Sequence, residues 1–329
     1  MKTLTRLMMA TALTASAALP ALADGHAQKW DMPMAYSASN FHSENGVKFA
    51  DCVRGGTEGA IDITVHPGGA LFKGADIKRA IQTGQVPIGE RLMSGHQNEN
   101  AVFGFDNVPF LATSFEAAEK LNKAAAPKMA ELLAEQNLTV LYSVPWPPQG
   151  LYFDREVNAV ADMKGIKFRS YNNATSRFAE LTGMLPVTIE AAEISQAFAT
   201  GVAEAMISSG ATGYDRKVWE SLSHFYEVNG WLPRNYVMVN SDAWGELDAG
   251  LQASVMGCAE TAAADGLAAS IAYTQFTMDG LAAGGMTVGP AGDALVNELK
   301  VIGETMAAEW LKNAGADGQA IIDAYKAME

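Results

Sequence analysis

The stretch D-M-K-G-I-K-F-R-S-Y-N-N, residues 162–173, holds the pattern from which the fold is read. Ile166 and Phe168 alternate with Lys167 and Arg169, the period-two pattern of a half-buried strand. Asn172 or Asn173 then caps a helix running through Phe178 and Leu181, and Gly183 ends it. Arg169 is thereby placed at the carboxyl end of a strand, turned away from the Ile166/Phe168 face and beside a helix amino terminus. Open α/β sheets bind ligands at that place. A guanidinium fork and free helix N–H groups both suit an anion. The same position also suits an arginine paired to a structural Asp or Glu, and spacing alone does not separate the two.

Working outward, strands and helices alternate. Strands are expected at Lys29–Ala35, Ala60–His66, Val86–Gly89, Leu138–Val144, Val187–Glu190, Ala203–Ser208 and Tyr236–Asn240. Glu90 and Arg91 follow the third of these, and Phe103–Phe110 is a loop or short strand. Helices are expected at His42–Arg54, Ile77–Gln82, Phe115–Gln136, Ala191–Thr200 and Asp215–Leu222. From Trp244 onward the pattern is almost wholly helical, with a long Ala-rich run from Leu247 to Thr274 and two more helices after Gly289-Pro290. W-P-P-Q-G-L-Y-F, residues 146–153, breaks the alternation and suggests a crossover between domains. The whole reads as layered α/β domains.

A chain of 329 residues, 49% hydrophobic and 18% charged, is globular and long enough for about two domains. Residues 1–23 have the form of a cleaved secretory signal: Lys2 and Arg6, an apolar run from Leu7 to Leu19, then Ala21-Leu22-Ala23. Without them the charge becomes 21 − 37 = −16, from 23 basic and 37 acidic residues less Lys2 and Arg6. So acidic a surface argues against nucleic acid and anionic lipid. It also requires any anionic ligand to be held by local positive groups. In an oxidising compartment Cys52 and Cys258 form either a disulfide or two buried thiols.

Catalytic signatures are missing. No phosphate loop, no H-E-x-x-H and no G-x-S-x-G occurs, and His26, His42, His66, His96 and His224 lack metal-ligand spacing. Glu190 and Glu193 stand at helical i, i+3 spacing, which most often means solvated charges. No enzyme, cofactor or metal is expected. Tyr36, Phe41, Trp146, Tyr152, Tyr171 and Trp231 fall in loops or at strand ends, where they suggest an apolar pocket wall around a charged head group.

Residues 162–169, E-I-S-Q-A-F-A-T-G at 193–201, P-G-G-A-L-F-K-G at 67–74, D-N-V-P-F-L at 106–111 and W-L-x-x-A-G-x-x-G at 310–318 resemble the substrate-binding proteins of tripartite ATP-independent periplasmic (TRAP) transporters. The resemblance runs in order through the mature chain. It implies an α/β, two-lobed periplasmic binding protein of the type II kind, with crossover strands and a long helix spanning both lobes. The lobes are expected at residues 24–145 with about 232–272, and 146–231 with about 273–329. It further implies a small organic acid held in the interlobe cleft and delivered in the periplasm to small and large permease subunits driven by a sodium gradient.

By the same resemblance Arg169 salt-bridges the ligand carboxylate and Asn172 adds a polar contact. Ser208 stands where many members have asparagine. Tyr152 stands near a second arginine of sialic-acid binders, and Ala191 where phenylalanine is frequent. Ser209, Gln149 and Arg91 complete the candidate ligand set. These departures favour a monocarboxylate with an apolar or aromatic body. The alternatives are a C4-dicarboxylate or 2-oxo acid for the same system, a ligand-presenting accessory of a membrane sensor, and a periplasmic lyase.

Overall fold

The computed structural model describes residues 27–328; the expected signal at 1–23 lies outside them. Two lobes are built on separate sheets. In the first, Gln28–Pro33 pairs in parallel with Ile61–His66, and beside them Arg234–Asn240 runs antiparallel between Ile88–Leu92 and Leu138–Pro145. The second lobe holds a mixed six-stranded sheet in the order Thr287–Pro290, His224–Glu227, Gln149–Phe153, Ala205–Ser209, Lys167–Ser170, Leu185–Thr188.

The lobes are joined by two short crossings, 145–149 and 230–234, which hydrogen-bond to each other. Trp146 N donates to Pro233 O at 2.8 Å, Gln149 N to Trp231 O at 2.9 Å, and Gly230 N to Gln149 O at 3.0 Å. Behind both lobes runs the helix Ala249–Ala283, about 50 Å long at 1.5 Å per residue. Val255, Cys258, Ala259 and Ala262 sink into the first lobe, Met278 and Leu281 into the second. Its small residues permit a close approach: a Cβ on Gly266 would lie 2.4 Å from Val144 Cγ2. Asn45 Nδ2 donates to the Ala262 carbonyl at 2.9 Å across the same seam.

Several local expectations need correction. Ala101–Asn107 is a 3-10 helix, where a loop or short strand was expected over Phe103–Phe110. Arg91 lies inside the strand Ile88–Leu92 rather than after it. Helix occupies Gly210–Asp215 with a 3-10 turn at Val218–Glu220, in place of Asp215–Leu222, and Ala191–Glu193 is a 3-10 turn preceding the helix Ile194–Ala199. Strands at Gln149–Phe153, His224–Glu227 and Thr287–Pro290 had no alternating stretch long enough to mark them. The helical tract Asp293–Lys326 breaks at Gly315, whose φ of 59° and ψ of −136° are non-helical. Leu295, Leu299 and Met306 pack in the second lobe but Trp310, Ile321 and Tyr325 in the first, so the tract Asp293–Lys326 contributes to both cores.

Cys52 and Cys258 are bonded, tying the first helix, Phe41–Gly56, to the long helix across 206 residues of chain. Closing so large a loop constrains the unfolded chain. Replacing both cysteines by alanine should lower the unfolding free energy by about 2–5 kcal/mol, read from urea midpoints. A midpoint that does not move would mean that the two helices are held by packing alone.

Candidate functional site

Arg169 lies on the strand Lys167–Ser170, flanked in parallel by Leu185–Thr188 and Ala205–Ser209. Its guanidinium is buried, with 3% of the residue exposed. Nε donates to the Ile189 carbonyl at 2.9 Å, and the fork lies 5.1 Å from the centre of the Tyr171 ring. Among the described residues no carboxylate pairs with it within 4.0 Å. Burial pulls its pKa down from 12.5 to about 10, a shift that Tyr171 and Glu190 partly oppose. A guanidinium this deep, with its terminal NH2 groups beside a cavity, is an unfinished ion pair.

That cavity lies between the lobes at the crossings. Arg169, Tyr171, Glu190, Ala191, Ser208 and Thr212 line it from the second lobe. Tyr36, Arg91 and Leu92 close it from the first, and Trp146, Gln149 and Pro233 from the crossings. The cavity is small, about 40 Å³ against ~10–15 Å³ for one water, which favours a compact ligand over a long one.

The walls are held from behind. Tyr36 packs edge-on against Trp146 at 4.6 Å, and Trp146 Nε1 donates to Asn235 Oδ1 at 2.9 Å. Trp231 Nε1 donates to the Tyr171 hydroxyl at 2.9 Å, and that hydroxyl donates to Gln149 Oε1 at 3.2 Å. Arg91 Nε donates to His96 Nε2 at 3.1 Å, while His96 Nδ1 meets Glu99 at 2.8 Å and Glu99 in turn pairs with Lys78. His96 therefore presents Nε2 as an acceptor. Burial, assisted by Arg91 and opposed by Glu99, holds its pKa down to about 4, so it is neutral near pH 7.

Seven of the twelve residues expected from the sequence thus share the cavity: Arg169, Arg91, Tyr36, Trp146, Gln149, Tyr171 and Ser208. Five do not line it. Phe41 braces Trp146 at 5.3 Å, and Trp231 holds Tyr171 as above. Tyr152 is fully buried on the other face of its strand, its hydroxyl donating to the Ser209 carbonyl at 2.8 Å. It occupies space that only Gly213 leaves, since a Cβ there would lie 2.3 Å from that hydroxyl. Ser209 caps the helix Gly210–Asp215. Asn172 caps Asn173–Leu181 and reaches across the cleft, donating Nδ2 to Ser94 Oγ at 3.0 Å. Glu190 and Thr212 were missed. For Glu190 one signal existed: it follows a parallel strand adjacent to that of Arg169, in the register Arg169–Val187.

The profile of bacterial extracellular solute-binding protein, family 7 (DctP), matches residues 34–313. A marine metagenome TRAP solute-binding protein specific for pyroglutamate, from an unidentified microbe of the Sorcerer II Global Ocean Sampling Expedition, is 58% identical. It was crystallised with co-purified pyroglutamate, and the match covers 92% of this chain and 99% of that one at a TM-score of 0.91. DctP6 of Bordetella pertussis, an extracytoplasmic solute receptor binding pyroglutamic acid, is 42% identical over 91% of this chain and 100% of that one, at a TM-score of 0.90. The C4-dicarboxylate-binding periplasmic protein DctP of Rhodobacter capsulatus is 25% identical over 74% of this chain and 73% of its own length.

The neutral His96 makes the seat of Arg91 sensitive to acid. With the folded pKa below the unfolded 6.5, its contribution to stability is present above about pH 6.5 and lost as pH falls through about 4. In His96→Gln, whose side-chain oxygen still accepts from Arg91, the fall in Tm between those two pH values should be shallower. An unchanged slope would mean that His96 is not the neutral acceptor.

Proposed function

This chain belongs to the DctP family of bacterial extracellular solute-binding proteins, family 7, and on that premise we propose that it captures pyroglutamate, or a monocarboxylic acid of the same size and shape, between its lobes. The observation that carries this reading is the buried Arg169 fork, open to a cavity and, among the described residues, without a counterion. A carboxylate arriving there completes charge-assisted hydrogen bonds in a site already stripped of water. The Ser208 hydroxyl and the Gln149 amide stand on the same cavity as further partners. The two solved relatives that bind pyroglutamate are 58% and 42% identical to this chain, which favours that acid over a sugar acid or a long dicarboxylate. The aromatic walls suit a flat ring, although the body of such a ligand is a polar lactam and not the apolar group expected from the sequence.

Closure follows from the same contacts. Tyr36 and Arg91 come from one lobe and Arg169 and Ser208 from the other, so a ligand touching both shifts the hinge toward the closed form. Asn172 with Ser94 latches the lobes beside the cavity. The closed, loaded protein then delivers its ligand in the periplasm to the small and large membrane subunits of a sodium-driven TRAP permease. Binding without conversion is the expected chemistry.

Arg169→Ala should weaken L-pyroglutamate binding by more than ~2 kcal/mol, roughly thirtyfold, because it leaves a buried carboxylate unpaired. Isothermal titration would show this, with Trp146 fluorescence as a second readout. An affinity within about twofold of wild type would discard Arg169 as the anchor.

A further inference from the structure

Glu190 is an acidic side chain on the wall of a cavity that otherwise collects positive charge. It follows the strand Leu185–Thr188 in an extended conformation, φ −66° and ψ 154°, and so faces the site rather than continuing into the turn Ala191–Glu193. Its Oε2 is 3.9 Å from Arg91 Nη1, a separation that leaves room between them. Among the described residues no hydrogen-bond donor reaches the Glu190 carboxylate. Gly74 gives the pair its space: a Cβ there would lie 2.9 Å from Glu190 Oε2 and 3.0 Å from Arg91 Nη1. Side-chain exposure is 37% for Glu190 but 7% for Arg91, so the carboxylate is the movable member and the guanidinium, pinned by His96, the fixed one.

Two guanidinium groups and one carboxylate leave a single positive charge in the cavity, which one ligand carboxylate neutralises. A second ligand carboxylate would stand against Glu190 with no cation left over, and like charges at contact distance repel. An N–H on the ligand would instead give Glu190 the donor that it lacks. A site that hydrogen-bonds one polar group disfavours analogues without it, because the bound analogue shields its polar atom from water without supplying a partner.

We propose that Glu190 is the specificity-determining residue of this site: its carboxylate accepts an N–H from a ring-amide monocarboxylate, and its charge excludes dicarboxylates. The inference rests on the reading above in one respect only, that Arg169 holds the ligand's carboxylate. In this arrangement Arg91 is a positioning residue, balancing Glu190 and holding it on the first-lobe side of the cavity.

The test is isothermal titration of wild type and Glu190→Gln with four acids: L-pyroglutamate, its lactone counterpart 5-oxotetrahydrofuran-2-carboxylate, glutarate and succinate. Wild type should prefer the lactam to the lactone by at least ~10-fold and bind the dicarboxylates at least ~100-fold more weakly. Glu190→Gln should narrow the lactam–lactone gap and bring at least ~10-fold of dicarboxylate affinity back. A variant that changes all four affinities by one common factor overturns the inference, since Glu190 would then only stabilise closure. So does a wild type that binds monocarboxylates and dicarboxylates alike. If wild type ignores both cyclic acids, the pyroglutamate reading fails by itself. Glu190 is then judged on the ratio of dicarboxylate to best-bound monocarboxylate affinity, which the variant must raise. Thermal unfolding of the variant checks that the fold is kept.

Discussion

A guanidinium buried with no counterion among the described residues is the constraint on which the cleft is arranged. Taking an ion from water into a protein interior costs several kcal/mol, and the Ile189 carbonyl and the Tyr171 ring offset only part of that for Arg169. The residual imbalance cannot be relieved from within: the nearest acid on the cavity wall, Glu190, stands by Arg91 instead. An incoming anion therefore meets a group whose desolvation has already been met by folding. The free energy it releases is available to hold the lobes together.

The scaffold makes this useful by keeping each half of the site on a rigid body and confining motion to the crossings. Trp146, Gln149 and Pro233 belong to the crossings themselves, so the cavity wall includes the hinge as well as both lobes. The long helix and the shared C-terminal tract resist shear, since each is anchored in both cores. The Cys52–Cys258 bond fixes that helix to the first lobe. A rotation of one lobe on the other about the few residues of the crossings would have to break the donor from Asn172 to Ser94.

How much of this was legible in the sequence depended on whether the signal was local. The alternation from Ile166 to Arg169 and the cap at Asn172 are local, and the strand, the helix and the inward Arg169 follow from them. Loop aromatics carry no such direction. Trp146 and Tyr171 face the cavity while Trp231 and Phe41 stand one layer behind, and only tertiary packing separates those cases. Tyr152 misled for a related reason: its strand, Gln149–Phe153, sits inside a sheet with both faces buried, so neither face could be told from the other. Glu190 was hidden by an apparent helical spacing to Glu193, yet the chain is still extended at Glu190 and turns only after it. Four-residue strands such as His224–Glu227 and Thr287–Pro290 are too short to declare a period and owe their form to sheet neighbours.

The overall charge sharpens the meaning of the site. A net charge of −14, from 23 basic and 37 acidic residues, surrounds a cavity lined by two arginines and one glutamate. Surface carboxylates act through water and are screened beyond about 8–10 Å at physiological salt. Arg169 and Arg91, at 3% and 6% exposure, act at contact distance through a medium of much lower dielectric constant. The local field therefore decides binding inside the cleft even though the far field opposes approach. For the same reason a single carboxylate on the cavity wall, such as Glu190, acts on an anion inside the cavity more strongly than the many on the surface.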